Sequence, residues 1–124
     1  MNPVPFEVRS EELADGIRVF AVRGELEMNT VPELQRKLED ALSDLTASIV
    51  LDLSECEFID STGVALIVRT WQRLDSAGGN GGEGRLVLCC SNHQVQRLLA
   101  ITGVENSISM HEGRDAALAE LRGG

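Results

Sequence analysis

The chain has 124 residues, 43% hydrophobic and 25% charged, which is the composition of an ordinary globular protein large enough for one core. Acidic residues outnumber basic ones by 20 to 11, and the net charge of −9 argues against direct contact with nucleic acid or an anionic lipid surface. With 3% aromatic residues the core must rest on Leu, Val, Ile and Ala, and no apolar run approaches the ~20 residues that span a bilayer.

Met1-Asn2-Pro3-Val4-Pro5 carries neither the basic end nor the apolar stretch of a signal peptide, so a cytoplasmic protein is expected. Asp15-Gly16, between two short β-like runs, marks a hairpin turn. The second run, Ile17 to Gly24, is rich in Val, Phe and Ile and suits a strand. Thr30-Val31-Pro32-Glu33 reads as a capping box with proline in the first helical turn. The helix it opens carries Leu34, Leu38, Ala41, Leu42 and Leu45 on one side, the spacing of a buried stripe. Ser48 to Leu53 is the next strand, apolar at Ile49, Val50, Leu51 and Leu53, a pattern that predicts cover on both faces. A second helix is expected from about Ser61 to Ala77, with Val64, Ile67, Val68, Trp71 and Leu74 facing inward.

The glycine-rich stretch from Gly78 to Gly84 then interrupts the pattern. No Gly-Lys-Ser/Thr follows and no helix opens behind it, so it reads as a flexible connection and not as a phosphate cradle. Arg85 to Cys90 forms a strand in which the adjacent Cys89 and Cys90 point to opposite faces. With Cys56 the cysteines are odd in number, and small buried residues are expected, not a disulfide framework. Ser91-Asn92-His93-Gln94 repeats the capping-box logic, and its helix, with Val95, Leu98, Leu99 and Ile101, ends at Gly103. Ser107 to Met110 is a last short strand and Asp115 to Leu121 a last helix. The order β-β-α-β-α-β-α-β-α predicts an α/β protein, one mixed sheet with helices packed on it, as a single domain over residues 1–124.

Candidate chemistry gathers where Leu51-Asp52-Leu53-Ser54-Glu55-Cys56-Glu57-Phe58-Ile59 runs into Asp60-Ser61-Thr62-Gly63-Val64-Ala65-Leu66. The hydroxyl of Ser61 falls where the chain leaves a strand region and starts a helix. The unpaired N–H groups and positive dipole end of a first turn suit an anion such as a phosphate. On residue types alone, capping is the simpler account of Ser61. Thr62 is the rival acceptor. A Ser-His-Asp hydrolase does not fit: Asp60 and Ser61 are adjacent, the Gly-x-Ser-x-Gly elbow is missing, and nothing places His93 or His111 beside Ser61. His93 is expected in solvent at a helix start, and His111 after the last strand. The carboxylates Glu25, Glu27, Glu55, Glu57 and Asp60 read as solvated loop groups, or alternatively as a paired-carboxylate or metal site, though no metal ligand is assigned among them. Met28 is either a contact point for a partner or a local packing residue.

Leu51-Asp52-Leu53-Ser54 followed by Phe58 to Leu66 resembles the signature of the STAS domain family, in particular its anti-anti-sigma factors, or anti-sigma factor antagonists. The likeness extends upstream to Gly24-Glu25-Leu26-Glu27 and downstream to the strand–helix–Gly103 segment, nearly the whole chain. Where many relatives read Gly-Glu-Leu-Asp, this chain has Glu27, one methylene longer. The resemblance implies a small mixed sheet of about five strands with about four helices packed mainly on one face. It also implies a partner-binding end of the sheet formed by Glu25, Glu27, Met28, Asn29, Thr30, Asp60, Ser61, Thr62 and Gly63, with Ser61 the phosphorylated residue. Such a protein is no enzyme. Its unmodified form binds an anti-sigma factor, usually a serine kinase of the ATP-binding, histidine-kinase-like type, and so frees a sigma factor. Phosphorylation of Ser61 ends the complex, and a phosphatase of the PP2C type restores it. ATP and metal belong to those partners, so no cofactor is expected here. The family also includes accessory subunits of lipid- or anion-transport assemblies and stressosome-type scaffolds.

Overall fold

The computed structural model describes residues 4–43, 47–78 and 84–123. Its elements are β1 (Glu7–Glu12), β2 (Arg18–Leu26), α1 (Val31–Leu42), β3 (Ile49–Ile59), α2 (Ser61–Gly78), β4 (Leu86–Cys89), α3 (His93–Thr102), a 3-10 turn (Val104–Asn106), β5 (Met110–His111) and α4 (Arg114–Leu121). The five strands form one sheet in chain order, antiparallel between β1 and β2 and parallel thereafter. This is the mixed sheet with four helices that the sequence predicts.

The two faces of the sheet are covered unequally. Phe20, Val22, Leu26, Leu51, Leu53 and Leu88 meet α1, α2 and α3 in the main core, through Leu34, Leu38, Ile67, Leu74, Val95 and Leu99 among others. On the other face Ile17, Val19, Val50, Val87 and Cys89 meet Ala117 of α4 in a smaller cluster. Burial on both sides explains why Ile49 to Leu51 and Leu86 to Cys89 are continuously apolar. Cys89 and the next residue, Cys90, lie in opposite clusters, as the alternation of a strand requires. The edge strand β1 buries Val8 and exposes charged residues, which blunts pairing with another chain.

Several elements differ from their sequence expectation. β3 does not stop at Leu53 but runs to Ile59. Its pairing with β2 shifts register between Ala21 and Arg23 and again between Gly24 and Glu25. Each shift inserts one extra residue in β3, so its inward positions step from Leu53 to Cys56 to Ile59 instead of every second residue. The capping box at Thr30 does not form: Thr30 sits in the helical region and makes no side-chain cap bond. Its hydroxyl instead donates to the Glu25 carbonyl at 2.7 Å and accepts the Glu27 N–H at 2.9 Å. At α3 the cap is Asn92, not Ser91; its side chain accepts from the N–H groups of Gln94 and Val95. Gly103 ends that helix with φ 80°, a left-handed geometry that glycine adopts without a Cβ penalty.

Ile101 is 76% exposed, not inward. It lies two residues, or about 200°, around the helix from the buried Leu99. In α2, Ile67 and Leu74 are buried as expected, while Val64, Val68 and Trp71 are half-buried against the core. Leu66 and Thr70 complete the buried stripe because α2 packs on α1 as well as on the sheet. The last strand is only Met110–His111, with the 3-10 turn occupying the approach to it, so His111 lies within β5 instead of after it. Leu45 and residues 79–83 of the glycine-rich stretch lie outside the described residues. No helix among the described residues is long and apolar enough to cross a membrane.

Candidate functional site

Parallel neighbours end at the same edge of a sheet, and β2 and β3 stop together with Leu26 opposite Ile59. Both chains then turn into helices: β2 through Glu27–Thr30 into α1, and β3 through Asp60 directly into α2. The Asp60 N–H donates to the Leu26 carbonyl at 3.2 Å, which ties the second turn to the first. Thus the two expected segments, Glu25 to Thr30 and Asp60 to Gly63, do come together in one surface.

The Glu27–Thr30 turn is held from inside. The Glu27 carbonyl accepts the N–H groups of Thr30 at 2.9 Å and Val31 at 2.8 Å. The longer side chain at Glu27 folds back, its carboxylate accepting the Asn29 N–H at 3.1 Å. Met28 stands out of this turn with 65% exposure. Its N–H donates to Asp60 Oδ2 at 3.1 Å, across the gap between the turns.

Asp60 is the cap of α2. Its Oδ1 accepts the N–H groups of Thr62 at 2.9 Å and Gly63 at 3.1 Å and the Thr62 hydroxyl at 2.5 Å, while its carbonyl accepts the Val64 N–H. The Thr62 hydroxyl above all, joined by the N–H groups of Gly63, Met28 and Thr62, holds the Asp60 carboxyl below the usual carboxylate range, and together they outweigh the opposing effect of burial. The group is therefore an anion at neutral pH. This corrects one expectation: the N–H groups of Thr62 and Gly63 are already donated to Asp60, so a phosphate at this helix start does not find them free.

Ser61 is the first residue of α2 and is exposed. Thr62, by contrast, is half-buried with its hydroxyl committed to Asp60. Gly63 is buried, and a Cβ there would meet Ile59 Cγ1 at 2.8 Å and Leu26 Cγ and O at 3.1 Å. The absence of a side chain lets the first turn of α2 rest directly on the ends of β2 and β3.

Sequence reasoning missed two residues at this end. Phe58 is 40% exposed, turned outward beside Glu25 because Glu57 is the extra residue of the second register shift. Asn92 donates from Nδ2 to the Cys56 carbonyl at 3.1 Å, fastening the start of α3 to the far part of β3. The broken apolar alternation after Leu53 was the available signal for the first. Glu25 and Glu57 are exposed carboxylates at the same end, whereas Glu55 pairs with Arg23 at 3.6 Å further back along the sheet. Among the described residues no group of three or more His, Cys, Asp or Glu is placed to hold a metal ion.

Nucleophilic chemistry has little support elsewhere. Cys56, Cys89 and Cys90 are buried free thiols. Burial pushes all three upward, Cys89 to about 12 with the Asp52 charge adding to the effect. His93 is exposed at the start of α3, and His111 lies 2.7 Å from Glu120 in the α4 layer. A cavity of about 450 Å³ over the open part of the sheet, between β1 and α4, is lined by Arg9, Arg23, Asp52, Glu55 and Arg114; of the candidate carboxylates it takes in Glu55 alone, and neither Ser61 nor the Glu25–Thr30 segment borders it.

A family model described as STAS domain matches residues 10–117. An anti-sigma-B factor antagonist of Staphylococcus aureus is 33% identical over 94 residues, 76% of this chain and 82% of that protein. Among solved structures, an anti-sigma factor antagonist from Mycobacterium paratuberculosis superposes with a TM-score of 0.80 at 26% identity, covering 96% of this chain and 94% of the other. The anti-sigma factor antagonist SpoIIAA in its unphosphorylated form shares the fold with a TM-score of 0.76 at 22% identity, over 95% of this chain and 98% of the other.

Proposed function

Because the chain belongs to the STAS domain family, we propose that it is an anti-sigma factor antagonist, a binding protein switched by phosphorylation of Ser61. The whole chain acts as one domain and works by docking, without a cofactor of its own. Its unmodified form binds an anti-sigma factor serine kinase through the surface formed by Glu25 to Thr30 and Asp60 to Gly63, freeing a sigma factor. The kinase phosphorylates Ser61 and the complex ends; a PP2C-type phosphatase reverses the modification.

The observation that carries this reading is the contrast between neighbouring hydroxyls. Ser61 is exposed at the start of α2, whereas Thr62 is tied to Asp60. The energetics favour exclusion of the partner. A phosphate adds about −1.5 to −2 charges, and one unit-charge repulsion at ~4 Å with an effective dielectric near 20 costs about 4 kcal/mol. That is roughly a thousandfold in affinity, more than the 0.3–2 kcal/mol or so that a helix dipole returns. Incubation with the co-purified kinase and ATP, followed by peptide mass spectrometry, should find phosphate on Ser61 and none on Ser61→Ala. Equal labelling of the two proteins would sink the proposal.

A further inference from the structure

One carboxylate joins the two halves of the site, and it does so asymmetrically. Asp60 Oδ1 is held by the Thr62 N–H, the Gly63 N–H and the Thr62 hydroxyl, while Oδ2 accepts from the Met28 N–H at 3.1 Å, a residue 32 positions earlier. We propose that Asp60 is a positioning residue that transmits negative charge on Ser61 to the tip of the Glu27–Thr30 turn, where it frees the Met28 N–H. The inference rests on the phosphorylation reading and deepens it. It gives the modification an effect on the shape of the docking surface in addition to its charge.

A phosphate on Ser61 places a second anion beside a carboxylate that already fills the anion-binding end of α2. Asp60 is the adjacent residue and cannot leave. It can only redistribute its bonds. Giving up the one bond on Oδ2 costs less than giving up the three on Oδ1, so the link to Met28 yields first. The remainder of the turn has separate fastenings. The Thr30 hydroxyl is bound to the Glu25 carbonyl, and the Glu27 carbonyl to the N–H groups of Thr30 and Val31. The Asn29 N–H is likewise held by the Glu27 carboxylate at 3.1 Å, so the change is confined to Met28. Met28 is 65% exposed, so its release loosens an apolar contact at the centre of the surface offered to a partner.

The test is amide hydrogen exchange followed by NMR on the full chain. The proteins compared are the parent, its kinase-phosphorylated form, Ser61→Asp, Asp60→Asn and the double variant. In Ser61→Asp the Met28 amide should exchange about 10- to 100-fold faster than in the parent, the range for loss of one charge-assisted hydrogen bond. The phosphorylated form should show at least as large a change, while Thr30 and Val31 stay within about twofold in both. In the Asp60→Asn background, adding Ser61→Asp should change Met28 exchange by less than about twofold. A role that is merely structural would not depend on the charge at Ser61. Should Asp60→Asn fail to fold, salt replaces it: raising ionic strength from about 0.05 to about 0.5 M should return Met28 in Ser61→Asp toward the parent rate. Unchanged Met28 exchange in Ser61→Asp at low salt would overturn the coupling. That arm uses no kinase, so it fails independently of the phosphorylation reading, which is decided by labelling of Ser61→Ala.

Discussion

Gly63 shows how a single position can place the whole site. Alanine there would gain about 1 kcal/mol of helix propensity. Its Cβ would also overlap Ile59 Cγ1 at 2.8 Å and press on the Leu26 carbonyl oxygen, which as backbone has little freedom to move. Overpacking costs about 1–3 kcal/mol, and a 2.8 Å contact together with an immobile backbone oxygen places this case in the upper part, about 2–3 kcal/mol. Net of the propensity gain, Gly63→Ala should be less stable than the parent by about 1–2 kcal/mol. Urea unfolding with an unchanged slope would record it as a lower midpoint, and a midpoint equal to or above the parent's would show that α2 can start elsewhere without strain. The residues around Gly63 were legible in the sequence to different degrees. Asp60 and Ser61 stand out because a strand pattern meets a helix pattern there. Thr30 misled, since the sequence shows that a hydroxyl precedes a helix but not that the Glu25 carbonyl and Glu27 N–H lie closer to it. Glu27 kept its place at the site, but its extra methylene turns the carboxylate onto Asn29, a contact that residue type alone does not reveal.

Among the elements, α4 is fastened differently from the others. It is eight residues long, and Ala117 is its fully buried side chain, with Leu118 and Leu121 half-buried beside it. Polar contacts hold its ends: Arg114 with Asp52 at 3.0 Å, Glu120 with His111 at 2.7 Å and with Arg85, and Arg122 with Asp15 at 2.6 Å. Exposed pairs contribute about 0–1 kcal/mol each, so α4 should open in local fluctuations well short of global unfolding. Cys89 reports such openings, because it lies under α4 while Cys56 and Cys90 lie in the opposite core. Arg114→Gln strips a half-buried Asp52 of its ion-pair partner and should raise the rate of Cys89 alkylation about 5- to 30-fold, or about 1–2 kcal/mol. Peptide mass spectrometry after iodoacetamide pulses would measure it. Equal acceleration at all three thiols would mean that α4 does not move on its own. The elements that were read well from sequence, α2 and β4, have an unbroken period or an unbroken apolar run. The far half of β3 was not, since two register shifts break its period of two. For the same reason Phe58 was missed at the site: its direction is set by pairing with β2, a partner 33 residues away in the chain.

At the scale of the molecule, charge and apolar contact meet at one end of the sheet. The chain carries a net −9, and exposed Glu25 and Glu57 flank the exposed Phe58 in the last part of β2 and β3, on the side where Ser61 and Met28 follow. A partner docking there must be basic around an apolar centre, and the two contributions should separate by their response to salt. Ser61→Asp adds one charge without the tetrahedral oxygens of phosphate, so it should weaken binding to the kinase by about 1–3 kcal/mol at low ionic strength. That penalty should shrink as salt rises, because exposed charges are screened within about 10 Å at 0.1 M. Met28→Ala removes no charge and should lose about 1–2 kcal/mol, nearly independent of salt, as a truncated apolar contact does. Ser61→Ala should bind as the parent does but resist inactivation by ATP, and Glu27→Gln serves as a control for altering an unmodified carboxylate on the same surface. Calorimetric titration of these proteins into one kinase, with ADP present, measures every term together. Tight binding by Ser61→Asp at low salt would rule out electrostatic exclusion, whereas a Met28→Ala penalty that disappears with salt would rule out an apolar centre.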